Sequence, residues 1–158
     1  MELQIIRGDQ WADDVARLLR DLPEWFGIEE SNRGDVASAH ETPMIVAVHE
    51  GRVVGACLVR QHSGVAAEIE LLAVERSQHR RGIGRQLVAA LIDDLRDRGV
   101  AVLQVKTRGP SAPSEEYERT RAFYEALGFL PREERTDISG PENRCLIMVT
   151  PLPLRVPR

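Results

Sequence analysis

The chain has 158 residues and a mass of 17.7 kDa, which suits one domain, and its 42% hydrophobic and 29% charged residues are those of a folded globular protein. With 21 basic against 25 acidic residues the net charge is −4, which argues against a nucleic-acid binder held by bulk charge. Cys57 and Cys145 are far apart and lack metal-ligand spacing, so neither a disulfide framework nor a structural zinc site is expected.

No apolar run approaches the roughly 18 residues of a membrane helix. The opening MELQIIRGDQ lacks a basic segment followed by an apolar one, so a cytoplasmic protein with no membrane partner is expected. Residues 3–6 are short and apolar, a first strand. Residues 10–22 place Trp11, Val15, Leu18, Leu19 and Leu22 at three- and four-residue spacings, one face of a helix that Pro23 ends. A weaker pattern over 29–39 predicts a second helix.

Residues 44–49 (MIVAVH) and 52–60 (RVVGACLVR) flank Glu50-Gly51, the signature of a hairpin. Residues 65–74 (VAAEIELLAV) continue the meander. From 82 to 98, Ile83, Leu87, Leu91 and Leu95 recur every four residues, with Gly99 placed to stop the helix. Residues 101–107 (AVLQVKT) form a strand after it, which makes a right-handed βαβ unit. A loop over 108–114, a helix over 115–127 and a last antiparallel pair, 130–138 with 145–150, complete the chain. The expected fold is a single α/β domain over 1–158. Its sheet is mixed and mostly antiparallel, with one parallel pair and helices on both faces.

The basic residues cluster. Arg76, Arg80, Arg81 and Arg85 fall within ten positions, with His79 among them, whereas Lys106 is the only lysine. His79-Arg80-Arg81-Gly82-Ile83-Gly84 lies between a strand end and a helix start. There, unpaired N–H groups, the helix dipole, glycines and arginines together make a site for a phosphorylated anion. A Walker loop is absent, and Gly82-Ile83-Gly84 lacks the third glycine and the following acid of a dinucleotide fingerprint.

The stretch ELLAVERSQHRRGIGRQLVAAL resembles the acetyl-CoA-binding motif of the GCN5-related N-acetyltransferases (GNAT), and TRAFYEALGF resembles their second motif. The two stand in the family's order and span about 68–129. His79 departs from the family's usual Gln or Arg, which affects a side-chain contact only. The resemblance implies transfer of acetyl from acetyl-CoA, used as co-substrate, to a primary amine, with no metal. It places Leu72, Ala73 and Val74 along the pantetheine arm, with the Leu72 N–H facing the thioester carbonyl. His79, Arg80, Arg81, Gly82, Ile83, Gly84 and Arg85 would hold the pyrophosphate, and Thr107, Phe123 and Tyr124 would lie beside the cofactor.

For catalysis, Glu68 matches the position of the base in the lysine-acetylating branch, and Glu70 would act as substrate-side electrostatics. Two carboxylates spaced by two share a face if no bulge intervenes. A carboxylate there can take the proton that an ammonium must lose before it attacks. Tyr124 stands where family members protonate the leaving thiolate, and Phe123 fits plain core packing better. Trp25 and Phe26, flanked by Glu24, Glu29 and Glu30, would form the acceptor entrance. Acids and aromatics there favour a cationic small molecule: an aminoglycoside-type antibiotic, a polyamine or an amino-acid derivative. A protein N-terminus or lysine is the alternative acceptor, and a silent acyl-CoA-binding module is the alternative of another class. Homodimers are common among similar proteins. His40, His49 and His62 read as structural or surface residues.

Overall fold

The computed structural model describes residues 3–8, 10–22, 44–79, 81–110, 115–138 and 144–153. The helix expected over 29–39, the entrance residues Trp25 and Phe26, and Arg80 lie outside them. Seven strands form one sheet: β1 (Leu3–Gly8), β2 (Met44–His49), β3 (Arg52–Gln61), β4 (Ala66–Val74), β5 (Val102–Arg108), β6 (Leu130–Arg135) and β7 (Cys145–Pro151). Their spatial order is β1-β2-β3-β4-β5-β7-β6. Only β4 and β5 pair in parallel, and the crossover between them is the helix α2 (Ile83–Asp97). Among the described residues α1 (Ala12–Arg20) and α3 (Glu115–Ala126) complete the helices.

Two apolar layers follow from the alternation of strand side chains. On one face Ile45, Val54, Cys57, Ala67, Ile69, Leu103 and Val105 pack under α2, whose Leu87, Val88, Leu91 and Leu95 are buried, and under Tyr124 of α3. On the other face Val46, Ala56, Leu58, Leu71 and Ala73 pack against Val15, Leu18 and Leu19 of α1. Gly55 of β3 makes the first contact possible. A Cβ there would stand 3.1 Å from Leu87 Cδ1 and 3.2 Å from Ile83 Cγ2, so its absence lets α2 settle close to the sheet.

The β2–β3 hairpin turns through Glu50 (φ 53°) and Gly51 (φ 76°), the left-handed pair that a tight two-residue turn requires. The last strand pair is shorter than expected. β6 ends at Arg135, whose side chain is ion-paired with Asp137, and all six of its residues are exposed. Its charged residues and Pro131 suit a sheet edge that must not recruit another strand.

Candidate active site

The centre of the sheet holds two irregularities. First, Leu58 pairs with Leu71 but Val59 pairs with Ile69, so Glu70 is an extra residue, a bulge in β4. The bulge resets the alternation. Ile69 faces the α2 layer and Leu71 the α1 layer, one residue out of step with a regular strand, and Arg60, the residue paired with Glu68, reaches Glu70 at 2.7 Å. Second, β4 and β5 pair only from Ala66↔Val102 to Ile69↔Val105. Beyond that point β4 continues along β3 to Val74, and β5 continues along β7 to Arg108. The two strands therefore separate into a V-shaped split.

The backbone lining of that split follows from one hydrogen bond. The Glu75 N–H donates to Val54 O at 2.8 Å. Antiparallel strands turn successive residues' N–H and C=O groups to opposite sides. Ala73 thus turns its backbone to β3, while Val74 and Leu72 turn theirs toward the split. Both keep half-buried side chains against the α2 layer, and Ala73 serves as the spacer between them. The His79 ring folds back so that Nε2 lies 2.7 Å from Val74 O.

Just past the end of β4, a short 3-10 turn (Arg76–Gln78) leads to Gly82, the residue before α2. Gly82 has φ 76° and, among the described residues, no atom beyond its chain neighbours within 4 Å of where a Cβ would stand. The first turn of α2 carries no acid and no side-chain cap, so its N–H groups and the positive end of the dipole stay open. Arg81 and Arg85 are exposed there, whereas Ile83 turns its side chain into the core. A Cβ on Gly84 would lie 3.2 Å from Phe123 Cζ and 3.7 Å from Val74 Cγ2, so this glycine brings the helix start, the strand end and α3 together. Gly-rich backbone, open donors and flanking arginines are a fitting cradle for a pyrophosphate.

The side chains around the split are polar and specific. Glu68, 8% exposed, receives Gln104 Nε2 at 2.9 Å, Lys106 Nζ at 3.4 Å and His62 Nε2 at 2.9 Å, all on Oε1. Burial raises its pKa, but the His62 and Gln104 hydrogen bonds and the Lys106 charge outweigh burial and hold the carboxyl below its ordinary value. His62, read from the sequence as a structural or surface residue, is thus brought to the candidate base by the bend after β3. Glu70 is held by Arg60 at 2.7 Å, so an incoming cation must compete with a guanidinium for it.

Tyr124 is 4% exposed, and its ring meets those of Phe123 and Phe129 edge-on at 5.1 and 5.2 Å. Burial, with the neighbouring Cys57, pushes the phenol well above its usual range, so it stays protonated. Phe123 is the half-buried member of the pair, the reverse of the burial expected from the sequence. On β5, Thr107 Oγ1 and Arg108 Nε are buried without a hydrogen-bond partner among the described residues. Among the described residues no three His, Cys, Asp or Glu side chains converge as a metal site, and no helix is long and apolar enough to cross a membrane.

Comparison with known proteins gives a consistent picture. The family model described as "Acetyltransferase (GNAT) family" matches residues 7–129, well over half of the chain. The ribosomal protein bS18-alanine N-acetyltransferase of Escherichia coli K12 is 35% identical over 85 residues, 51% of this chain and 53% of that protein. The match thus spans about half the length of that relative. Among solved structures, a GNAT-family protein from Desulfovibrio desulfuricans superposes with a TM-score of 0.85 at 19% identity, covering 96% of this chain and all of the other. An aminoglycoside 6′-N-acetyltransferase complexed with coenzyme A superposes at 0.75 with 22% identity, covering 98% of each chain. At such identities the likeness speaks to the fold.

Proposed function

The chain belongs to the acetyltransferase (GNAT) family, and from that premise we propose that it moves the acetyl group of acetyl-CoA to a primary amine. One observation carries the reading. The backbone of Leu72 and Val74 turns into the split, and the open, acid-free start of α2 lies just beyond the same strand end. A ligand with an extended amide arm and a pyrophosphate is complementary to that sequence of features.

Acetyl-CoA supplies an activated thioester carbonyl. In this reading Leu72 and Val74 pair with the pantetheine arm through their main chain, and Thr107 and Phe123 flank it. The N–H groups of residues 82–85 take the pyrophosphate, with Arg80, Arg81 and Arg85 supplying charge and His79 tethered at Val74 O. The Leu72 N–H donates to the carbonyl oxygen that gains charge as the amine adds. Glu68 takes a proton from the acceptor ammonium, which frees the nitrogen lone pair. Tyr124 gives its proton to the departing sulfur. That role is supported by a phenol that burial keeps protonated.

The acceptor proposed is a cationic small molecule of the aminoglycoside, polyamine or amino-acid-derivative type, with Trp25, Phe26 and Glu70 on its side. A protein N-terminus or lysine is the second reading, and the activity for which the 35% identical relative is named, ribosomal-protein alanine N-acetylation, favours the N-terminus. Mass-resolved transfer from acetyl-CoA to a panel of aminoglycosides, polyamines, amino acids and N-terminal peptides tests both. A single panel member gaining one acetyl group names the acceptor class. Tight acetyl-CoA binding with no transfer to any member would favour a silent binding module instead. No binding at all would overturn the assignment.

A further inference from the structure

Three donors reach Glu68, and all three reach the same oxygen. His62 Nε2 and Gln104 Nε2 lie 2.9 Å from Oε1 and Lys106 Nζ lies 3.4 Å from it. They come from three places: the bend after β3, and two positions of β5 that share a face with Glu68 across the parallel pairing. None of these contacts uses Oε2. A buried carboxylate saturated on one oxygen can turn only the other to an incoming N–H. An ionised carboxylate only accepts hydrogen bonds, so the neutral imidazole carries its proton on Nε2 and leaves Nδ1 bare.

The three donors differ in one respect. The Gln104 amide has no charge to change, and ammonium groups keep theirs through neutral pH. Imidazole is the side chain that changes charge between about pH 5 and 8. The His62 side chain is 43% exposed, so solvent protons reach it. We propose that His62 is a positioning residue for Glu68, and that the charge on its ring sets how readily Oε2 accepts the proton of the acceptor ammonium. This rests on the acetyltransferase reading above.

The step balances simply. The ammonium N–H bond breaks, its proton forms a bond to Oε2, and the nitrogen keeps the electron pair with which it attacks. With a neutral ring, Oε1 receives an uncharged N–H and Oε2 remains an effective acceptor. With a protonated ring, the charge-assisted bond to Oε1 withdraws electron density from the whole carboxylate, and proton transfer to Oε2 becomes harder. The other charges facing this pair are Lys106 on β5 and the Cys145 thiol on β7, which feels both Glu68 and Lys106; the Arg60–Glu70 ion pair joins β3 to β4 alongside. None of these alternates its charge with the ring.

His62→Gln keeps an N–H donor at this place and removes the titration. For an acceptor identified by the panel, kcat/KM is measured for wild type and variant from pH 6 to 9. The ratio of variant to wild type cancels the ionisation of the acceptor amine itself. The ratio should rise about 3- to 10-fold as the pH falls from 8 to 6. His62→Ala, which removes the donor, should be about 3- to 10-fold slower than His62→Gln at every pH. A ratio that stays constant with pH would reduce His62 to a structural contact and overturn the inference. Imidazole nitrogen chemical shifts give a readout independent of turnover. Wild-type protein at pH 8 should show the proton on Nε2, and a ring protonated on Nδ1 alone would refute the pairing. If the shifts show the expected form but no amine is acetylated, it is the acetyltransferase reading that has failed.

Discussion

Replacing Tyr124 by phenylalanine separates the two duties assigned to this ring. The side chain is 4% exposed and meets Phe123 at 5.1 Å and 75° and Phe129 at 5.2 Å and 66°. Each edge-on pair is worth about 0.5–1.5 kcal/mol beyond burial, and Tyr124→Phe preserves both. Only the hydroxyl is lost. The hydroxyl does not stand among the buried polar atoms left without a partner, so its removal should shift stability by no more than about 1 kcal/mol. Tyr124→Ala, by contrast, should lose about 3–5 kcal/mol through cavity formation. On activity, a positioned proton donor contributes about 10²–10⁴-fold. A thiolate, with a pKa of about 8.5, leaves without full protonation, so the low end, about 10²-fold in kcat, is expected. Urea denaturation and steady-state transfer on the same preparations test both halves. An unchanged kcat would make Tyr124 a core ring and nothing more. A stability loss above about 2 kcal/mol would mean that its hydroxyl has a bonding partner.

Three further outcomes follow from the geometry. The folded Glu68 carboxyl is held below the ordinary carboxylate value of 4.5, so its contribution to stability is complete above that pH and is lost as pH falls through the folded value. Glu68→Gln should therefore flatten the dependence of the urea midpoint between about pH 5 and 3, and should lower kcat by about 10²-fold at neutral pH. Gly82→Ala forces an L-residue to φ 76° with no steric contact around its Cβ, so it should cost about 1–2 kcal/mol of stability by backbone strain alone; calorimetry should show acetyl-CoA binding weakened at least several-fold. The Cys57 thiol is 1% exposed and pushed up to about 12 by burial, and Cys145 is 6% exposed and also raised. Neither should react with Ellman's reagent at pH 8 until the protein is unfolded, and rapid labelling of Cys57 in the native state would contradict its place under α2.

Much of this fold is legible residue by residue. The strands of the meander are written as apolar runs. The Glu50-Gly51 turn is written as a dipeptide, and α2 as a four-residue repeat of Ile83, Leu87, Leu91 and Leu95, all buried. What escapes is whatever depends on the register between distant segments. The bulge at Glu70 appears only when β4 is laid against β3, because the sequence of β4 alone reads as a regular strand. His62 looks idle in the sequence. Its partner is six residues away across a bend, and the other two donors to the same oxygen are more than thirty residues downstream. A His followed six residues later by an acid entering a strand is a signal too general to have singled it out. The order of burial in α3 escapes for a different reason. Tyr124 is the one buried residue of that helix, so no apolar stripe marks which aromatic turns inward.

The parting of β4 from β5 has a mechanical consequence. The backbone ladder that joins one half of the sheet, β1 to β4, to the other, β5 with β7 and β6, is four residue pairs long. A sheet interrupted along its midline transmits force poorly across the interruption. The softest amides within it should then be those of Leu72 and Val74, near its centre, rather than those of the outer strands. In hydrogen exchange the sheet should read as two stiff plates with a compliant seam. A molecule that bridges the seam should slow exchange at Leu72 and Val74 and join the plates into one cooperative unit.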